Sequence, residues 1–571
     1  MSINNLTINR RTFIKGVTLS TVVASGLLPL EANNTTPAFS QEHELRGTEF
    51  SLVISKTMVN FTGTPKYATT VNGQMTAPTL HFNEGDTVTI KVYNDLEVDS
   101  SIHWHGIILP TDMDGVPNIS FDGIKPKTTF TYRFTLKQSG TYWYHSHSGF
   151  QEQTGLYGAI VVHPKAKEPF EYDRDYVVTF SDWSDEKPET IYRKLKTMSD
   201  YYNFNQRTVG DFFADVKEEG FLGAFKSRSM WNKMRMSDRD LSDVTGYTYT
   251  YLMNGHTPTA QYTAQFKVGE KIRLRFINSS AMTFFDVRIP DLKLTIVATD
   301  GNNVKPVEVD EFRIGVAETY DVIVEPKTQK AYAIFAQSLE RSGYALGSLT
   351  PSATKLAKAP AMDAPQTLTH ADMGMDMSGM KMGGKEMASD KKMKMPMKKK
   401  IPITPLEEAR GVGTTMRVKN PQYRLDDAGV GLRNNGRRVL TYADLESLEG
   451  IVPKRTPDRE IILRLTGNME RYMWSINGIA YKDAKPLQFH YGEQLRITYI
   501  NDTMMNHPMH LHGLWSDLEV GENRFVRKHT IVVQPGSKIS MQVNVDAKGS
   551  WAYHCHLLYH MSGMFRKVIV S

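Results

Sequence analysis

The stretch Gly492–Asn501, with the sequence Gly-Glu-Gln-Leu-Arg-Ile-Thr-Tyr-Ile-Asn, is one of three similar segments in a chain of 571 residues. The other two are Gly85–Asn94 and Gly269–Asn278, and in every copy the Gly and the closing Asn are nine residues apart. An Asn-Gly dipeptide precedes each segment, and polar and apolar residues alternate within it, which is the pattern of a half-buried β-strand. The repeat therefore predicts three related β-domains, and short strands between Gly and Pro turns favour Greek-key sandwiches.

The spacing of the copies divides the chain into three domains and a linker before the third: 45–165, 170–350, 351–402 (the linker) and 403–571. Within the second domain, residues 186–245 lack strand alternation, and we expect a small helical insertion there, around Tyr192–Lys196 and Lys226–Met236. The insertion contains no pattern of catalytic residues.

The composition is that of an ordinary globular protein, with 40% hydrophobic and 10% aromatic residues. A formal net charge of +6 is mild for this length and gives no reason to expect nucleic-acid binding. No segment after the N-terminal region is apolar enough to predict a membrane span.

Residues 1–40 have the features of an export signal. Arg10 and Arg11 are followed by the apolar run Gly16–Leu30 and by small residues near Ser40. The apolar run is too short to cross a bilayer. We therefore expect a twin-arginine signal peptide that is cleaved near Ser40, and a mature protein that resides in the periplasm.

Cys555 is the only cysteine in the chain, so it cannot form an internal disulfide. It stands between His554 and His556, with His560 five and Met564 nine residues further on. A thiolate, imidazoles and a thioether are the ligands of a blue-copper electron-transfer centre; the alternative for a lone cysteine is a small buried hydrophobic residue. Because strand neighbours point to opposite faces, the flanking histidines should face other metal ions. An electron taken up at the sulfur can then cross a few covalent bonds to a second metal site.

The repeat also locates the other histidine motifs. His103 follows Asn94 by nine residues and His510 follows Asn501 by nine, whereas Val287 occupies this position in the second domain. The first and third domains therefore hold candidate metal ligands, and the second is expected to lack them.

The ends of the outer domains match as well. Gly140–His147 aligns with Gly549–His556, and Ser146 stands where Cys555 stands, so only the third domain can build a thiolate site. Each His-X-His pair places two imidazoles on one face of a strand, suited to hold metals between domains. Ten of the 17 histidines fall in these motifs: His103, His105, His145, His147, His507, His510, His512, His554, His556 and His560.

These motifs resemble those of the multicopper oxidases, most closely the copper-resistance protein A family, as do the stretch Phe150–Gly158 and the Met-rich segment before the third domain. The resemblance implies an all-β fold of three cupredoxin-like Greek-key β-sandwich domains. It also implies four copper ions as cofactors and an oxidase, expected to be monomeric, that reduces O2 to water with electrons from Cu(I) or a phenol.

The same resemblance implies a ligand set for each copper ion. Type 1 copper would be bound by His507, Cys555 and His560, with Met564 as the axial ligand. Type 2 copper would be bound by His103 and His510. The type 3 pair would be bound by His105, His145, His147, His512, His554 and His556, and electrons would reach it from Cys555 through His554 and His556. Met564 lies one residue closer to the cysteine than the axial residue of relatives does, so Met561 is an alternative.

Asp114, nine residues after His105, resembles the carboxylate that supplies protons to the copper cluster in relatives. The alternative is a turn-forming Asp before Gly115.

Nine of the chain's 29 methionines lie in the Met-rich segment, between Met373 and Met397. Thioethers favour Cu(I), and a stretch this polar is expected to be disordered without metal. The alternative is a solvated linker, since lysines over 381–400 oppose cation binding. We expect the Met-rich segment to recruit Cu(I), mainly through its N-terminal half, where Asp372 and Asp376 offset the positive charge of the lysines. The methionines of that half are Met373, Met375, Met377, Met380 and Met382.

The leading hypothesis is a copper-resistance oxidase of Cu(I). A laccase-like phenol oxidase is the alternative enzyme, with an open substrate pocket beside His507 and His560. A periplasmic copper-sequestering protein that acts through the Met-rich segment is the alternative from another class. A copper nitrite reductase is disfavoured, because those enzymes lack the full set of four His-X-His motifs found here. The histidines outside the motifs are expected to be mainly surface or packing residues: His43, His81, His163, His256, His370, His490 and His529.

Overall fold

The computed structural model describes residues 44–374, 401–451 and 455–571. The predicted signal peptide lies outside the described residues. Across the described ranges, six β-sheets occur in three successive pairs, together with two helices. Neither helix in this part of the chain is both long enough and apolar enough to cross a lipid bilayer.

The first pair of sheets shares an apolar core that includes Leu52, Leu80, Ile90 and Ile160. Its strands are β1 Glu44–Arg46, β2 Glu49–Val59, β3 Lys66–Val71, β4 Ala77–Asn83, β5 Thr87–Asn94, β6 His103–His105, β7 Thr129–Thr135, β8 Gly140–His145 and β9 Tyr157–His163. The strand orders are β1-β4-β9-β8-β6 and β3-β2-β5-β7.

The second pair contains both helices. Its elements are β10 Arg174–Trp183, α1 Pro188–Thr197, α2 Val209–Met234, β11 Thr250–Met253, β12 Tyr262–Gln265, β13 Ile272–Asn278, β14 Phe285–Arg288, β15 Leu294–Thr299, β16 Asn302–Val309, β17 Glu311–Ile314, β18 Thr319–Val324, β19 Tyr332–Ser338 and β20 Tyr344–Thr350. The strand orders are β11-β10-β13-β18-β15-β16 and β12-β20-β19-β14-β17.

The third pair carries the Cys555 motif. Its strands are β21 Gln422–Tyr423, β22 Arg459–Asn468, β23 Met473–Ile476, β24 Leu487–Phe489, β25 Gln494–Asn501, β26 His507–Leu511, β27 Ser516–Gly521, β28 Arg524–Lys528, β29 Thr530–Val533, β30 Ser537–Asn544, β31 Gly549–Cys555 and β32 Phe565–Val570. The strand orders are β23-β22-β25-β30-β27-β28, with β21 beside β30, and β24-β32-β31-β26-β29.

The three repeat segments form equivalent strands. β5, β13 and β25 each pair in parallel with an earlier strand, β2, β10 or β22, and antiparallel with a later one, β7, β18 or β30. The closing residues Asn94, Asn278 and Asn501 are fully buried. In each, the side-chain NH2 donates to two backbone carbonyls and Oδ1 accepts a backbone N–H two residues later. The repeated Asn therefore satisfies backbone groups at a buried turn.

The Asn-Gly dipeptides have equivalent structures too. Asn72, Asn254 and Asn477 have φ of 52°, 47° and 52°, and the glycines after them have φ of 75°, 72° and 74°. Two successive residues with positive φ make the type I′ hairpin turn that Asn-Gly favours. These turns fix the register of the strands on either side.

The helical insertion has clear local causes. Pro188 occupies the first turn of α1. α2 begins with a capping box, in which Thr208 Oγ1 accepts from Asp211 N at 3.2 Å and Asp211 Oδ2 accepts from Thr208 N at 2.7 Å. The helix is interrupted at Gly220, where the backbone is not helical.

The first and third pairs of sheets contact each other beside their histidine strands. Thr111 Oγ1 donates to Ser550 O at 2.8 Å, and Trp515 Nε1 donates to Gly106 O at 3.1 Å. These bonds place the ends of β6 and β8 against those of β26 and β31.

The predictions of an all-β fold with three related cupredoxin-like sandwiches and a helical insertion are confirmed. The domain limits stay predictions. The described part of the linker is packed: within 351–374, Asp363 accepts from Gln337 at 2.7 Å and lies 3.3 Å from Arg288.

Candidate metal centres

The predicted histidine ligands and Cys555 lie in two buried groups. The smaller group contains His507, Cys555 and His560, whose ligand atoms are within 4.8 Å of one another. The larger group consists of eight histidines that lie on, or just after, β6, β8, β26 and β31: His103, His105, His145, His147, His510, His512, His554 and His556. We call these the small group and the large group.

Strand β31 joins the two groups. The Cys555 thiol meets His507 and His560, whereas His554 and His556 lie among the histidines of the large group. This division follows from the alternation of side chains along a strand. The residue that carries the thiol is therefore joined by one peptide bond on each side to a histidine of the large group.

The small group has the geometry of a metal site. Cys555 Sγ lies 3.5 Å from His507 Nδ1 and 3.8 Å from His560 Nδ1, and the two nitrogens are 3.4 Å apart. Metal–nitrogen and metal–sulfur bonds of about 2.0 and 2.3 Å around a trigonal metal would separate these donors by about 3.5 to 3.7 Å. The donor set and its spacing fit copper. Burial raises the pKa of the Cys555 thiol, so metal binding must displace its proton.

Met564 is the better placed of the two axial candidates. It is fully buried, its carbonyl accepts from Cys555 N at 3.0 Å, and its N–H donates to His560 O at 2.9 Å. Met561 is only half-buried. The axial role of Met564 stays a prediction.

The helical insertion does contribute to the small group, contrary to the expectation that it holds no chemistry. Asp243, in the segment after α2, accepts from His560 Nε2 at 2.7 Å and from Tyr472 OH at 3.1 Å. A carboxylate on the outer nitrogen of a histidine fixes its tautomer and ring orientation when the other nitrogen binds metal. Nothing in the sequence signalled Asp243, because it belongs to no histidine motif.

The outer nitrogen of the other imidazole of the small group, His507, also has a hydrogen-bonding neighbour. His507 Nε2 lies 2.7 Å from Thr503 Oγ1. Trp474 stacks on His560 with ring centroids 3.8 Å apart, and neither imidazole is exposed. Both rings are therefore fixed and screened from solvent.

The large group divides into sets of three imidazoles. Ligand nitrogens within 4.8 Å of one another occur in His105, His145 and His556, in His147, His512 and His554, and in His103, His510 and His512. Nε2 of His512 lies only 3.0 Å from Nε2 of His554. Two such nitrogens, if both carry lone pairs, are held together by a shared cation.

The bonding of the rings fits metal binding. The Nδ1 atoms of His103, His145, His510 and His554 lie 2.7 to 3.1 Å from backbone carbonyls. Nε2 atoms of the group are buried without a hydrogen-bond partner in His103, His105, His145, His147, His510 and His556. Ligand histidines are held in this way, with one nitrogen anchored and the other free for the metal.

Burial also controls the charge of the large group. It is the main reason why the pKa of every histidine that shows a shift is lowered, to about 3 for His554. Neighbouring imidazoles add to the effect. The seven rings with a lowered pKa are therefore neutral at physiological pH, which is the form that binds metal.

Asp114 contacts histidines from both outer domains. Its Oδ2 lies 2.9 Å from His512 Nδ1 and its Oδ1 lies 3.3 Å from His103 Nδ1. Asp114 also ends a 3-10 turn, Thr111–Met113, as a turn-forming residue would. The side chain is 1% exposed and belongs to the site as well as to the turn.

Glu152 is a second buried carboxylate at the large group, and it was not predicted. Its Oε2 lies 2.7 Å from His145 Nδ1 and its Oε1 lies 3.9 Å from His556 Nδ1. Burial raises its pKa well above the ordinary value. The sequence pointed to Glu152 only through its position in Phe150–Gly158, the stretch that resembles the copper-resistance protein A family.

His529, expected to be a surface or packing residue, is buried beside the large group. It forms a further set of three with His105 and His510. Burial lowers its pKa to about 4. It was missed because it lies in no His-X-His motif.

Only the start of the Met-rich segment is described. Met373 is 1% exposed in the apolar core, and Asp372 pairs with Arg424 at 3.0 Å and Arg433 at 2.6 Å. Asp372 is therefore already balanced and does not offset the lysines. The remaining methionines, Met375, Met377, Met380 and Met382, lie outside the described residues.

Comparison with known proteins agrees with this arrangement. Family profiles described as multicopper oxidase match residues 53–167, 174–355 and 454–571. Copper resistance protein A of Escherichia coli is 52% identical, and the copper resistance protein A homolog of Pseudomonas syringae pv. tomato is 51% identical, each with 99% of both chains covered.

Solved structures share the fold. Fet3p, a multicopper oxidase that functions in iron import, has a TM-score of 0.62 and 18% identity over 92% of this chain and 91% of its own. The laccase from Botrytis aclada has a TM-score of 0.62 and 19% identity over 92% and 88%. The profile matches and the full-length identity show that this chain belongs to the multicopper oxidase family, whose members are oxidoreductases with copper as their cofactor.

Proposed function

We propose that the protein is a copper-resistance oxidase that oxidises Cu(I) at the small group and reduces O2 to water at the large group. The observation that carries this proposal is strand β31, which places Cys555 in one group and its two neighbours in the other. The names of the two full-length relatives support the role in copper resistance.

The proposed ligands follow the sets of nitrogens. His507, Cys555 and His560, with Met564 as axial ligand, would hold type 1 copper. The two sets His105, His145, His556 and His147, His512, His554 would each hold one type 3 ion. His103 and His510 are then left for type 2 copper.

Bound copper would supply one-electron oxidation of the reductant and the four-electron reduction of O2 to water. The chain supplies the ligands, a dry and neutral environment, and the covalent route from Cys555 to His554 and His556. Because both imidazoles of the small group are anchored at their outer nitrogens, little reorganisation should accompany electron transfer there.

Asp114 is the proposed proton source. Its two oxygens face His512 and His103, one from each outer domain, so a proton held on either oxygen lies at the edge of the large group. Water formation from O2 consumes protons, and a buried carboxylate within reach of the reacting atoms is a suitable donor.

The reductant is proposed to be Cu(I) rather than a phenol. A laccase-like phenol oxidase should have an open pocket beside the imidazoles of the small group. Both His507 and His560 are fully buried instead, and Thr503 and Asp243 occupy their outer nitrogens. An arrangement of this kind favours electron uptake from a small donor through these contacts.

We also propose that the protein acts in the periplasm as a monomer and reaches it by the twin-arginine route. The sequence of residues 1–40 supports the export proposal. Copper recruitment by the methionines of 375–397 belongs to the same proposal, since Cu(I) is the ion that thioethers favour.

The test is copper content and the visible spectrum of the copper-loaded protein, followed by O2 uptake with Cu(I). We expect four copper ions per chain, an intense thiolate-to-copper band, and continued O2 consumption as Cu(I) is added. Copper without the blue band would show that Cys555 is not a ligand. O2 consumption that stops once the copper sites are filled would show a copper store. Turnover with phenols but not with Cu(I) would show a laccase-like enzyme.

A further inference from the structure

His529 lies where the chain passes from β28 in one sheet to β29 in the other. Asp300 of the second domain fixes this corner, because its Oδ2 accepts from the backbone N–H of His529 at 3.1 Å and of Thr530 at 3.0 Å. Buried Lys528 in turn pairs with Asp300 at 3.2 Å. Asp300 thus contacts three successive residues, 528–530, and so holds the His529 imidazole beside the large group.

The ring of His529 is bonded like those of the proposed ligands. Nδ1 lies 3.2 Å from Thr530 Oγ1, and Nε2 is buried without a hydrogen-bond partner. The ring is 2% exposed. One anchored nitrogen and one free, buried nitrogen is the arrangement seen in His103, His145 and His510.

The His529 ring lies beside two histidines of the large group. The His529 ring centroid lies 4.9 Å from that of His105 and 5.5 Å from that of His510, and one nitrogen of each of the three rings lies within 4.8 Å of the others. Three uncharged imidazoles form a donor set that suits copper.

The His529 ring packs closely against the backbone of Gly106. Gly106 has φ of 82°, and a Cβ there would lie 2.4 Å from His529 Nε2. His529, Gly106, His510 and Trp515 line a small cavity that also reaches His103. A glycine at this point therefore allows the His529 ring to reach the cavity that it shares with the proposed type 2 ligands.

We propose that His529, with His105 and His510, forms a copper-loading site from which an ion passes to the type 2 position. The inference rests on the proposed function, because it takes His103 and His510 as type 2 ligands. His510 belongs to both sets, so the two positions cannot be filled together and the His529 position is a point of transit. Copper would bind and leave without a change of oxidation state.

The test compares copper loading of full-length metal-free protein with and without the His529 ring. Cu(I) is added without O2, samples are oxidised at intervals, and the type 1 band and the type 2 electron paramagnetic resonance signal are followed. We expect His529→Gln to slow the type 2 signal by at least about tenfold, as removal of a group beside a metal site does to metal affinity. The type 1 band should form at the normal rate.

The matched control is His81→Gln, which removes another buried imidazole, one that lies 3.1 Å from His163 in the first domain. It should load both signals at the normal rate. Equal loading of the type 2 signal in His529→Gln and wild type would overturn the inference. If wild type itself gives a blue band and no type 2 signal, the proposed function fails and not this inference alone.

A second measurement covers the case in which His529→Gln does not fold. Metal-free wild-type crystals are soaked with one equivalent of Ag(I), a redox-inert substitute for Cu(I). Anomalous density at His529 Nε2 supports the loading site. Silver at other histidines of the large group, with none at His529, contradicts it.

Discussion

The first and third domains carry the same pair of histidine strands, β6 with β8 and β26 with β31, but they differ on the face turned away from the large group. There the third domain has His507, Cys555 and His560, and the matching positions of the first domain hold Ser100, Ser146 and Gln151. Ser100 and Ser146 both donate to Gln151 Oε1, at 2.6 and 2.9 Å.

One backbone arrangement therefore supports two chemistries. On the shared face, both domains supply imidazoles to the large group. On the other face, three hydroxyl and amide side chains satisfy one another in the first domain, whereas a thiol and two imidazoles converge in the third. Only the second arrangement leaves donors suited to a metal.

The largest effect is expected from Cys555→Ser, which gives the third domain the residue of the first. Without the thiolate, the intense visible band and turnover with Cu(I) should both be lost, while the large group keeps its histidines. The measurement is the spectrum together with copper content, which should fall from four ions to three.

Ser146→Cys in the Cys555→Ser background is the reciprocal control. It should create no blue band, because Ser100 and Gln151 offer no imidazole to the new thiol. A blue band in this double variant would show that a thiol alone decides the chemistry of the face.

The next largest effect is expected from Asp114→Asn, which acts on the shared face. The amide keeps the size of the side chain but is a poor proton donor, so O2 turnover should slow by about a hundredfold or more. The blue band should remain, since Asp114 contacts His103 and His512 and not the small group. Stopped-flow reoxidation of the reduced protein measures the step, and a normal rate would leave Asp114 as a turn residue.

A smaller effect is expected from Asp243→Asn, which acts on the other face alone. Removal of a negative charge beside His560 should raise the type 1 reduction potential. A higher potential lowers the driving force for electron transfer onward to the large group, so turnover should slow by about tenfold. Redox titration of the visible band measures the potential. Type 2 and type 3 signals serve as the internal control, and an unchanged potential would contradict a role for the insertion.

The smallest effect is expected from deletion of residues 375–397, a stretch that contains none of the proposed ligands of the two groups. The deletion starts at 375 because Met373 is buried and Asp372 is paired with two arginines. Oxidation of dilute Cu(I) should weaken by less than about tenfold, as expected for loss of local recruitment. Oxidation of an organic dye should not change, and equal losses with both substrates would indicate a linker.

The fold was predictable because its determinants repeat within the chain. The nine-residue spacing from Gly to Asn reflects one strand with a buried Asn at its end, and the Asn-Gly dipeptides reflect hairpin turns. The histidine motifs were predictable for the same reason, since strand alternation fixes which side chains share a face.

The residues around the candidate ligands could not be predicted in this way. Asp243 comes from the end of a helical insertion, and His529 comes from the corner between two sheets. Their positions depend on tertiary contacts such as that of Asp300 with the corner, which leave no periodic trace in the sequence. Glu152 lay in a recognised stretch, but spacing alone did not show that it reaches His145.

The large group takes its ligands from residues 103–147 and 510–556, so the two halves of the site are separated by most of the chain. During synthesis, the histidines of β6 and β8 exist long before β26 and β31 are made, so the imidazoles of the third domain are missing from the site until then. A chain that stops before Gly549 lacks His554, His556 and the thiol together. Full occupancy by copper would therefore report that translation has reached the C-terminal strands and that both ends of the protein have docked.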